Sequence, residues 1–390
     1  MNQAQTLDLP ISGIYAHMPW RVDRLDDPED FVQRCQRLQG SGPALFQHSS
    51  WLRSWYACLG QQDGVEPLLL SARPVGAQAD ALLIPLVKRR EGLLTVVEHA
   101  DGGITDYNAP VMREGSRFSG GDARALWAEL RCALQGCDVL RLDKLAAGSG
   151  AQANPWLLML PTRASELFGN RFRAHERYAD WMTHIGKHAR KEFERCWRVF
   201  NRSPDARFVM ASHVDEGLAL LRQLASLQHA RQAETPGYRL AEPAYASFYE
   251  HFLRHNLDSG RCVMTALMDG EQMVAGLLSV FDGERFTMLR IAMAGEPWKA
   301  CAPGKLLLER SIHAMHQRGC REFDFAIGDY QHKKAFCTTP YPLHQACVPL
   351  SLKGRAYHLG WQLKHAAKAH PRLLASARTL SRWLHRPGQA

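Results

Sequence analysis

Three apolar runs separated by two Asp-Gly pairs constrain the fold of this chain more than any other feature. The runs fill residues 262–293, and Asp269-Gly270 and Asp282-Gly283 separate them. Asp-Gly readily adopts the left-handed backbone conformation that a tight hairpin turn requires. The segment is therefore predicted to form three consecutive antiparallel strands.

A helix and a further strand follow these runs. In KLLLERSIHAMHQ, Leu308, Ile312 and Met315 recur at helical spacing, Pro303 suits the first turn, and Gly319 suits the C-terminal end. The strand REFDFAI comes next. Two strands that are connected by a helix run parallel to each other when they pair in one sheet. This half of the chain is therefore predicted to be a mixed sheet with order β-β-β-α-β.

The N-terminal half repeats this order. PLLLSAR, ADALLIPLVKR and LLTVVEHA resemble strands, DARALWAELRCALQ resembles a helix, and CDVLRLDKL resembles a closing strand. Gly121 and Gly304 open the two helices, and the glycines that end them, Gly136 and Gly319, have the same separation. The shared order predicts two related lobes.

The predicted fold class is α/β, in detail α+β, with each lobe a mixed sheet flanked by helices. Residues 1–165 are predicted to form the N-terminal lobe, 166–203 a linker with a basic helix, 204–350 the C-terminal lobe, and 351–390 a basic tail. A chain of 390 residues is long enough for two hydrophobic cores.

Several functional classes lack their sequence signatures. No apolar run is long enough to span a membrane and the N-terminus does not resemble a signal peptide, so a cytoplasmic location is expected, with peripheral association at the inner membrane as a hypothesis. The ten cysteines contain no CxxC pair, which favours reduced thiols over a disulfide framework or a zinc site, and no metal is expected. GxSxG and P-loop motifs are missing, as are modules for specific nucleic-acid binding.

The positive charge is concentrated in the tail. The formal net charge is +9, and residues 351–390 contain eight Lys and Arg but no Asp or Glu. Trp and Leu are interspersed with these basic residues, and Pro371 is predicted to divide the tail into two helices. Such helices bind anionic membrane surfaces, so the tail could dock on a membrane or a synthase complex. The alternative is a tail packed on the body with its charges in water.

A second basic segment lies between the lobes, at residues 184–202. One interpretation is a solvated linker helix that packs through Phe193, Trp197 and Phe200. The other is a helix that grips an anionic substrate or the phosphates of a cofactor.

The start of the second predicted helix, at Pro303, Gly304, Lys305 and Leu306, has residue types suited to an anion. A helix N-terminus exposes unpaired N–H groups and a partial positive charge, a glycine permits close approach, and a lysine adds charge. The alternative is an ordinary helix start.

Four short motifs, in order, carry a resemblance to a known family: PALFQHSSWLRSWY, DGGITDYNAPVM, APGKLLLE and FDFAIGDYQHKKAF. Together they resemble the double-lobed GNAT acyltransferases grouped with the CelD-like cellulose-biosynthesis proteins, distant relatives of the Fem-type peptidoglycan aminoacyltransferases. The last motif is similar to the family ending G-D-x-x-Y-K-x-x-F at Gly328, Asp329, Lys333 and Phe336. His332 stands where the family has tyrosine.

The resemblance implies acetyl-CoA or another acyl-CoA as cofactor, bound by the C-terminal lobe, with its pyrophosphate on the helix start and its thioester between two splayed strands. The cofactor-binding residues it implies are Ile291, Met293, Pro303, Gly304, Lys305, Leu306 and Lys333. It also implies that Asp106 and Tyr107 bind the acceptor in a cleft between the lobes, although these two residues also suit an ordinary turn.

Transfer from a thioester requires a base, a stabilised oxyanion and a protonated leaving group. Backbone N–H groups from Ile291 to Met293 are expected to stabilise the oxyanion. Asp329 or His332 is the predicted base, and Tyr330 the predicted proton donor to the thiolate. The alternatives are a turn cap for Asp329 and a surface position for His332.

The predicted activity is transfer of an acyl group, with acetyl expected, to an amine or hydroxyl of a small molecule or glycan precursor in cell-envelope or exopolysaccharide metabolism. One alternative is a Fem-type transferase that uses aminoacyl-tRNA, with residues 184–202 facing the RNA. Another is a non-catalytic accessory protein of a polysaccharide synthase.

Overall fold

A computed structural model describes residues 19–39, 45–113, 118–149, 152–232, 242–328, 336 and 339–369. Its helices are α1 (Pro28–Gln39), α2 (Ser49–Cys58), α3 (Gly120–Ala133), α4 (Pro155–Met159), α5 (Tyr178–His184), α6 (Lys187–Phe200), α7 (Val214–Gln232), α8 (Pro243–Asn256), α9 (Pro303–Gln317) and α10 (Leu352–Ala369). Its strands are β1 (Trp20–Leu25), β2 (Val65–Pro74), β3 (Leu82–Glu91), β4 (Leu94–His99), β5 (Val111–Met112), β6 (Val139–Ala146), β7 (Gly148–Ser149), β8 (Gln152–Ala153), β9 (Arg163–Arg173), β10 (Ala206–Met210), β11 (Cys262–Asp269), β12 (Gln272–Phe281), β13 (Arg285–Met293), β14 (Glu322–Ile327) and β15 (Thr339–Pro349).

One continuous sheet passes through both halves of the chain. Within the described ranges it has thirteen strands, in the order β1-β2-β3-β4-β6-β15-β9-β14-β13-β12-β11-β10, and β5 pairs with β3 outside this path. The pairings are both parallel and antiparallel, and helices cover the sheet. The predicted fold class, two mixed-sheet lobes with flanking helices, is confirmed.

The strand order predicted for each lobe is confirmed. Strands β11, β12 and β13 are antiparallel, and Gly270 and Gly283 take positive φ angles of 54° and 98° in their turns. Strand β14 then pairs with β13 in parallel. In the N-terminal half, β2, β3 and β4 are antiparallel, and β6 pairs with β4 in parallel through Val96 and Val139.

Strands β9 and β15 occupy the centre of the sheet and join the two lobes. β15, from the end of the chain, pairs with β6 of the N-terminal half on one side and with β9 on its other side. β9 in turn pairs with β14. The division at residues 165, 203 and 350 stays a prediction, and the predicted linker 166–203 contributes most of β9 to the sheet.

One hydrophobic core extends across both lobes on one face of the sheet. The Trp51 ring of α2 packs edge-on against Phe248 and Phe252 of α8, with centroid distances of 4.8 and 5.1 Å. The Tyr245 hydroxyl, also on α8, donates to the Gly102 carbonyl at 2.7 Å. Burial of large aromatic side chains supplies much of the free energy of such a contact, so this core holds the lobes in one arrangement.

The basic helix α6 packs on the opposite face of the sheet. Phe193, Cys196 and Phe200 are buried against α9 and the sheet, while most of its Lys and Arg side chains are exposed. The packing predicted for this helix is confirmed. The binding of an anion by its exposed face stays a prediction.

The first part of the tail is helix α10, which lies against β15 and β6. The Arg141 guanidinium donates to the Tyr357 hydroxyl at 2.8 Å, while Leu352, Leu359 and Leu363 are exposed. Pro371 and the rest of the tail lie outside the described residues. Among the described helices, none has the length and apolar character that crossing a bilayer requires.

Candidate active site

Strands β13 and β14 run together for three residue pairs and then separate. Their pairing extends from Arg285 with Glu322 to Thr287 with Asp324, after which β13 is paired only with β12 and β14 only with β9. We call the space between the separated halves the gap. It lies at the carboxyl ends of two parallel strands, which is where α/β folds commonly bind ligands.

Backbone N–H groups of β13 point into this gap. The Ala294 N–H bonds to the Val274 carbonyl on β12 at 2.8 Å. Successive N–H groups of a strand point to opposite sides, so those of Ile291 and Met293 point away from β12. This is the orientation that the predicted oxyanion stabilisation requires.

Helix α9 begins beside the gap. A Cβ atom on Gly304 would lie 2.8 Å from Cε of Met293, so the helix start and the end of β13 are in contact. Ala302 before the helix has a φ of 47°, and its carbonyl accepts from the N–H groups of Lys305 and Leu306 at 2.9 and 3.2 Å. Pro303 has no N–H. Among the described residues the Gly304 N–H has no acceptor, and it is the donor left for an anion.

The Lys305 side chain is engaged in an ion pair that the sequence did not predict. Its Nζ lies 2.8 Å from Glu192 Oε1 on α6, and both side chains are partly exposed. Arg195, one turn further along α6, donates to the Ala300 carbonyl at 3.2 Å. Basic helix α6 thus packs against the start of α9. The Leu306 side chain is fully buried in the core, so only its backbone lies at the helix start.

The four predicted residues Asp329, Tyr330, His332 and Lys333 lie outside the described residues, and their roles stay predictions. The described positions on either side of them are held in place. The Asn170 amide donates to the Gly328 carbonyl at 3.0 Å, and the buried Phe336 ring packs 5.7 Å from Phe193.

A buried ionic cluster joins the lobes next to the gap. The fully buried Asp324 accepts from Arg171 Nε at 2.6 Å, from the Tyr107 hydroxyl at 2.7 Å and from the Ala326 N–H at 2.8 Å. The Arg171 guanidinium also lies over the Tyr341 ring, 3.7 Å from its centroid. The sequence predictions missed this cluster. Its signal in the sequence is the carboxylate of Asp324, which stands between two phenylalanines in FDF.

Tyr107 was predicted to bind the acceptor, and the structure places it in this cluster. Its side chain is only 4% exposed. Burial, and then the Asp324 carboxylate, raise the pKa of Tyr107 well above its ordinary value, so the hydroxyl remains a donor. Burial disfavours the charged form of Lys144 and by itself would lower its pKa. The carboxylates of Asp101 and Asp106 together outweigh this effect, so the pKa of Lys144 is raised. Asp106 therefore lies close to Lys144 on β6.

A polar cleft of about 390 Å³ lies between β4 and β6, in the lobe that carries Asp106. Desolvation in the cleft raises the pKa of Asp143, while burial lowers the pKa of His99 to about 4. The cleft is lined by Arg89, Arg90, Glu91, Glu98, His99, Asp101, Gly102, Gly103, Asn108, Arg141, Asp143 and Lys144. Within the described part of the chain, no three His, Cys, Asp or Glu side chains are grouped to hold a metal ion.

Comparison with known proteins finds a family match around the gap. Residues 187–334 match the family model described as Acetyltransferase (GNAT) domain, and these residues include β13, α9 and β14. No curated protein matches the sequence. The more specific resemblance to CelD-like proteins stays a prediction.

Solved structures extend the likeness to most of the chain. FemX is 11% identical, with a TM-score of 0.54 over 86% of this chain and 99% of FemX. The C-terminal domain (DUF2156) of a putative lysylphosphatidylglycerol synthetase from Agrobacterium fabrum is 11% identical, with a TM-score of 0.52 over 85% and 96%. A tandem GNAT protein from the clavulanic acid biosynthesis pathway is 13% identical, with a TM-score of 0.49 over 85% and 99%. Residues 187–334 therefore match the GNAT acetyltransferase domain model, within an overall fold similar to that of FemX.

Proposed function

We propose that this protein is an acyltransferase that moves an acyl group, with acetyl expected, from acyl-CoA to an amine or hydroxyl acceptor. The observation that carries the proposal is the gap between β13 and β14 beside the start of α9, within the segment that matches the GNAT acetyltransferase domain. The donor thioester lies in the gap, and the coenzyme A pyrophosphate lies at the helix start.

The helix start offers the donor two groups: the Gly304 N–H, which has no acceptor among the described residues, and the partly exposed Lys305 ammonium. The Gly304 N–H points away from the helix and meets a phosphate oxygen, where the helix dipole favours negative charge. The Lys305–Glu192 pair is partly exposed, and such pairs contribute little to stability. The Lys305 side chain can therefore leave Glu192 and bind the pyrophosphate at a small cost in free energy.

The reaction uses the residues predicted for it. Asp329 or His332 takes a proton from the acceptor, whose nitrogen or oxygen attacks the thioester carbonyl carbon. The N–H groups of Ile291 and Met293 stabilise the oxyanion that forms. Collapse of this intermediate breaks the carbon–sulfur bond, and Tyr330 protonates the departing thiolate.

The acceptor enters from the side of the sheet opposite α9, between the lobes. Asp106 is the residue that we expect to touch it directly, since Tyr107 is occupied by Asp324 and acts by holding the lobes together. A glycan precursor or other small molecule of the cell envelope is the proposed acceptor. The exposed leucines of α10 support docking of residues 351–390 on a membrane surface or a synthase.

A second candidate is a Fem-type transferase that uses aminoacyl-tRNA as donor. The fold likeness to FemX favours this candidate over a non-catalytic accessory role, which is the third candidate. The exposed Lys and Arg side chains of α6 would then contact RNA phosphates, because such contacts need accessible positive charge beside the donor site.

Titration calorimetry with acetyl-CoA and with free coenzyme A tests the proposal. We expect saturable micromolar binding that is lost in Gly304→Glu, because the new carboxylate occupies and repels the phosphate position. Gly304→Ala is the matched control, since it adds the same Cβ contact with Met293 without the carboxylate. Absence of binding by the unmodified protein, together with activity on charged tRNA, would replace the proposal with the second candidate.

A further inference from the structure

Arg290 of β13 is a buried cation whose described neighbours are uncharged. It is 4% exposed. Its Nε donates to Gln228 Oε1 at 2.7 Å, its Nη2 donates to the same oxygen, and its guanidinium carbon lies 4.4 Å from the centroid of the Tyr249 ring. No carboxylate among the described residues lies within ion-pair distance of it. Its positive charge is therefore not neutralised by this part of the protein.

Other arginines of the same sheet differ from Arg290 in this respect. The Arg171 guanidinium is bonded to Asp324. The Arg141 guanidinium is bonded to Glu91 and Glu98. A guanidinium keeps its charge in proteins, and removing it from water without an anion is costly. The free energy of the fold therefore favours an anion beside Arg290.

Arg290 lies on the part of β13 that borders the gap, and its side chain is on the face of the sheet covered by α7 and α8. It follows Thr287, the last residue of β13 that pairs with β14. Ile291 and Met293 pack toward α9, whereas Arg290 packs against Tyr249 of α8 and Gln228 of α7. The donor approaches from the α9 side, so the opposite side belongs to the acceptor.

We propose that Arg290 binds an anionic group, a carboxylate or a phosphate, of the acceptor. This inference rests on the proposed acyltransferase function and specifies its acceptor as an acidic amine or alcohol. Gln228 occupies Nε and one N–H of Nη2, which leaves the two N–H groups of Nη1 and one of Nη2 for an oxyanion. A planar guanidinium edge binds either anion through two parallel hydrogen bonds. Gln228 also donates to the Ile291 carbonyl at 3.4 Å, so it orients the arginine relative to the gap.

The first test measures anion binding without any turnover. Inorganic phosphate and acetate are titrated while the midpoint of thermal unfolding is recorded. We expect one of them to raise the midpoint of the unmodified protein, and we expect Arg290→Gln to lose that rise. Arg285→Gln is the matched control, because Arg285 lies on the same strand and is already paired with Glu322. No rise with either anion in the unmodified protein, or an equal rise in Arg290→Gln, would overturn the inference.

A second variant keeps the inference testable if Arg290→Gln does not fold. Gln228→Glu keeps the shape of the side chain and places a carboxylate on the guanidinium. We expect it to raise the unfolding midpoint and to abolish the response to added anion. A Gln228→Glu protein that is less stable and still responds to anion would contradict the inference.

Turnover then distinguishes the two anions. Coenzyme A release is measured with an amino sugar and its phosphate ester, and with an amino acid and its carboxamide. We expect KM for the anionic member of one pair to be at least about tenfold lower, and Arg290→Gln to remove that preference. Equal KM values within both pairs would overturn the inference. If the protein binds acetyl-CoA and the anion but releases no coenzyme A, the result would instead count against the proposed acyltransferase activity.

Discussion

The Tyr107 hydroxyl donates a hydrogen bond of 2.7 Å to Oδ1 of Asp324, and the two residues are 217 positions apart in the chain. Tyr107 comes from the loop after β4 and Asp324 from β14. Arg171, on the central strand β9, completes the cluster from a third part of the chain. One buried carboxylate thus connects both lobes and the strand between them.

Loss of the Asp324 charge should destabilise the whole protein. Asp324→Asn leaves the Arg171 charge without its partner, and we expect the free energy of unfolding to fall by about 3–5 kcal/mol. Tyr107→Phe removes one hydrogen bond and should cost about 1–2 kcal/mol. Urea denaturation measures both. Glu322→Gln, in a more exposed ion pair, is the control and should change stability by less than about 1 kcal/mol. An Asp324→Asn protein as stable as this control would contradict the assignment.

A single methyl group on Gly169 should disturb the same cluster. A Cβ atom there would overlap the Tyr107 hydroxyl, so the tyrosine must move and weaken its bond to Asp324. We expect Gly169→Ala to lower the free energy of unfolding by about 1–3 kcal/mol. The comparison is Gly120→Ala, where a Cβ meets open space and the change should be neutral or stabilising. Equal stabilities of the two variants in thermal unfolding would argue against this contact.

The buried His99 should make stability depend on pH. Its Nε2 accepts from Trp156 Nε1 at 2.8 Å, and burial lowers its pKa from 6.5 to about 4. Between these two pH values the unfolded chain binds more protons than the folded chain. The contribution of His99 is therefore complete above pH 6.5 and is lost as pH falls toward 4, by about 3 kcal/mol.

His99→Gln should reduce this acid sensitivity, since a glutamine oxygen can accept the same hydrogen bond without titrating. Urea denaturation at pH 7, 5.5 and 4.5 measures the slope. His48 contributes in the same direction, because burial lowers its pKa to about 3, so part of the slope should persist. The exposed His188→Gln is the control. A His99→Gln slope identical to that of the unmodified protein would refute the prediction.

The described thiols should differ sharply in reactivity. All nine described cysteines are unpaired, and among them Cys132 alone is exposed, with Cys58 half-buried. Burial raises the pKa of Cys301 and of Cys320 to about 11, which suppresses their thiolate forms. Iodoacetamide followed by mass spectrometry should label Cys132 first, in a Cys337→Ser background because Cys337 lies outside the described residues. Equal labelling of Cys301 under native conditions would count against the packing of α9.

The elements that the sequence predicted correctly have local signals. Asp-Gly turns specify the strands of 262–293 from within a few residues, and apolar spacing specifies α9. The parallel pairing of β13 with β14 follows from the helix between them. These signals were enough to predict two lobes and the helix start, whereas the gap between the strands was implied by the family resemblance.

The interactions that the sequence did not predict join distant residues. In the sequence pattern, Asp324 stands at a position of an alternating strand that would be expected to face solvent. Its partner Arg171 is 153 positions away in the chain. Lys305 resembles a free cation, but Glu192 lies 113 positions before it. Strand β9 was not predicted, since most of it falls in the predicted linker 166–203. Such pairings depend on tertiary packing, which has no periodic signature.

The position of β15 has a consequence for synthesis of the chain. This strand leaves the ribosome after all others of the sheet, yet it pairs with β6 from the first half. Until Thr339–Pro349 is translated, β6 and β9 each present an open edge, and open edges recruit strands of other molecules. A nascent chain that stops before residue 339 is therefore more prone to aggregate than one that stops after 349.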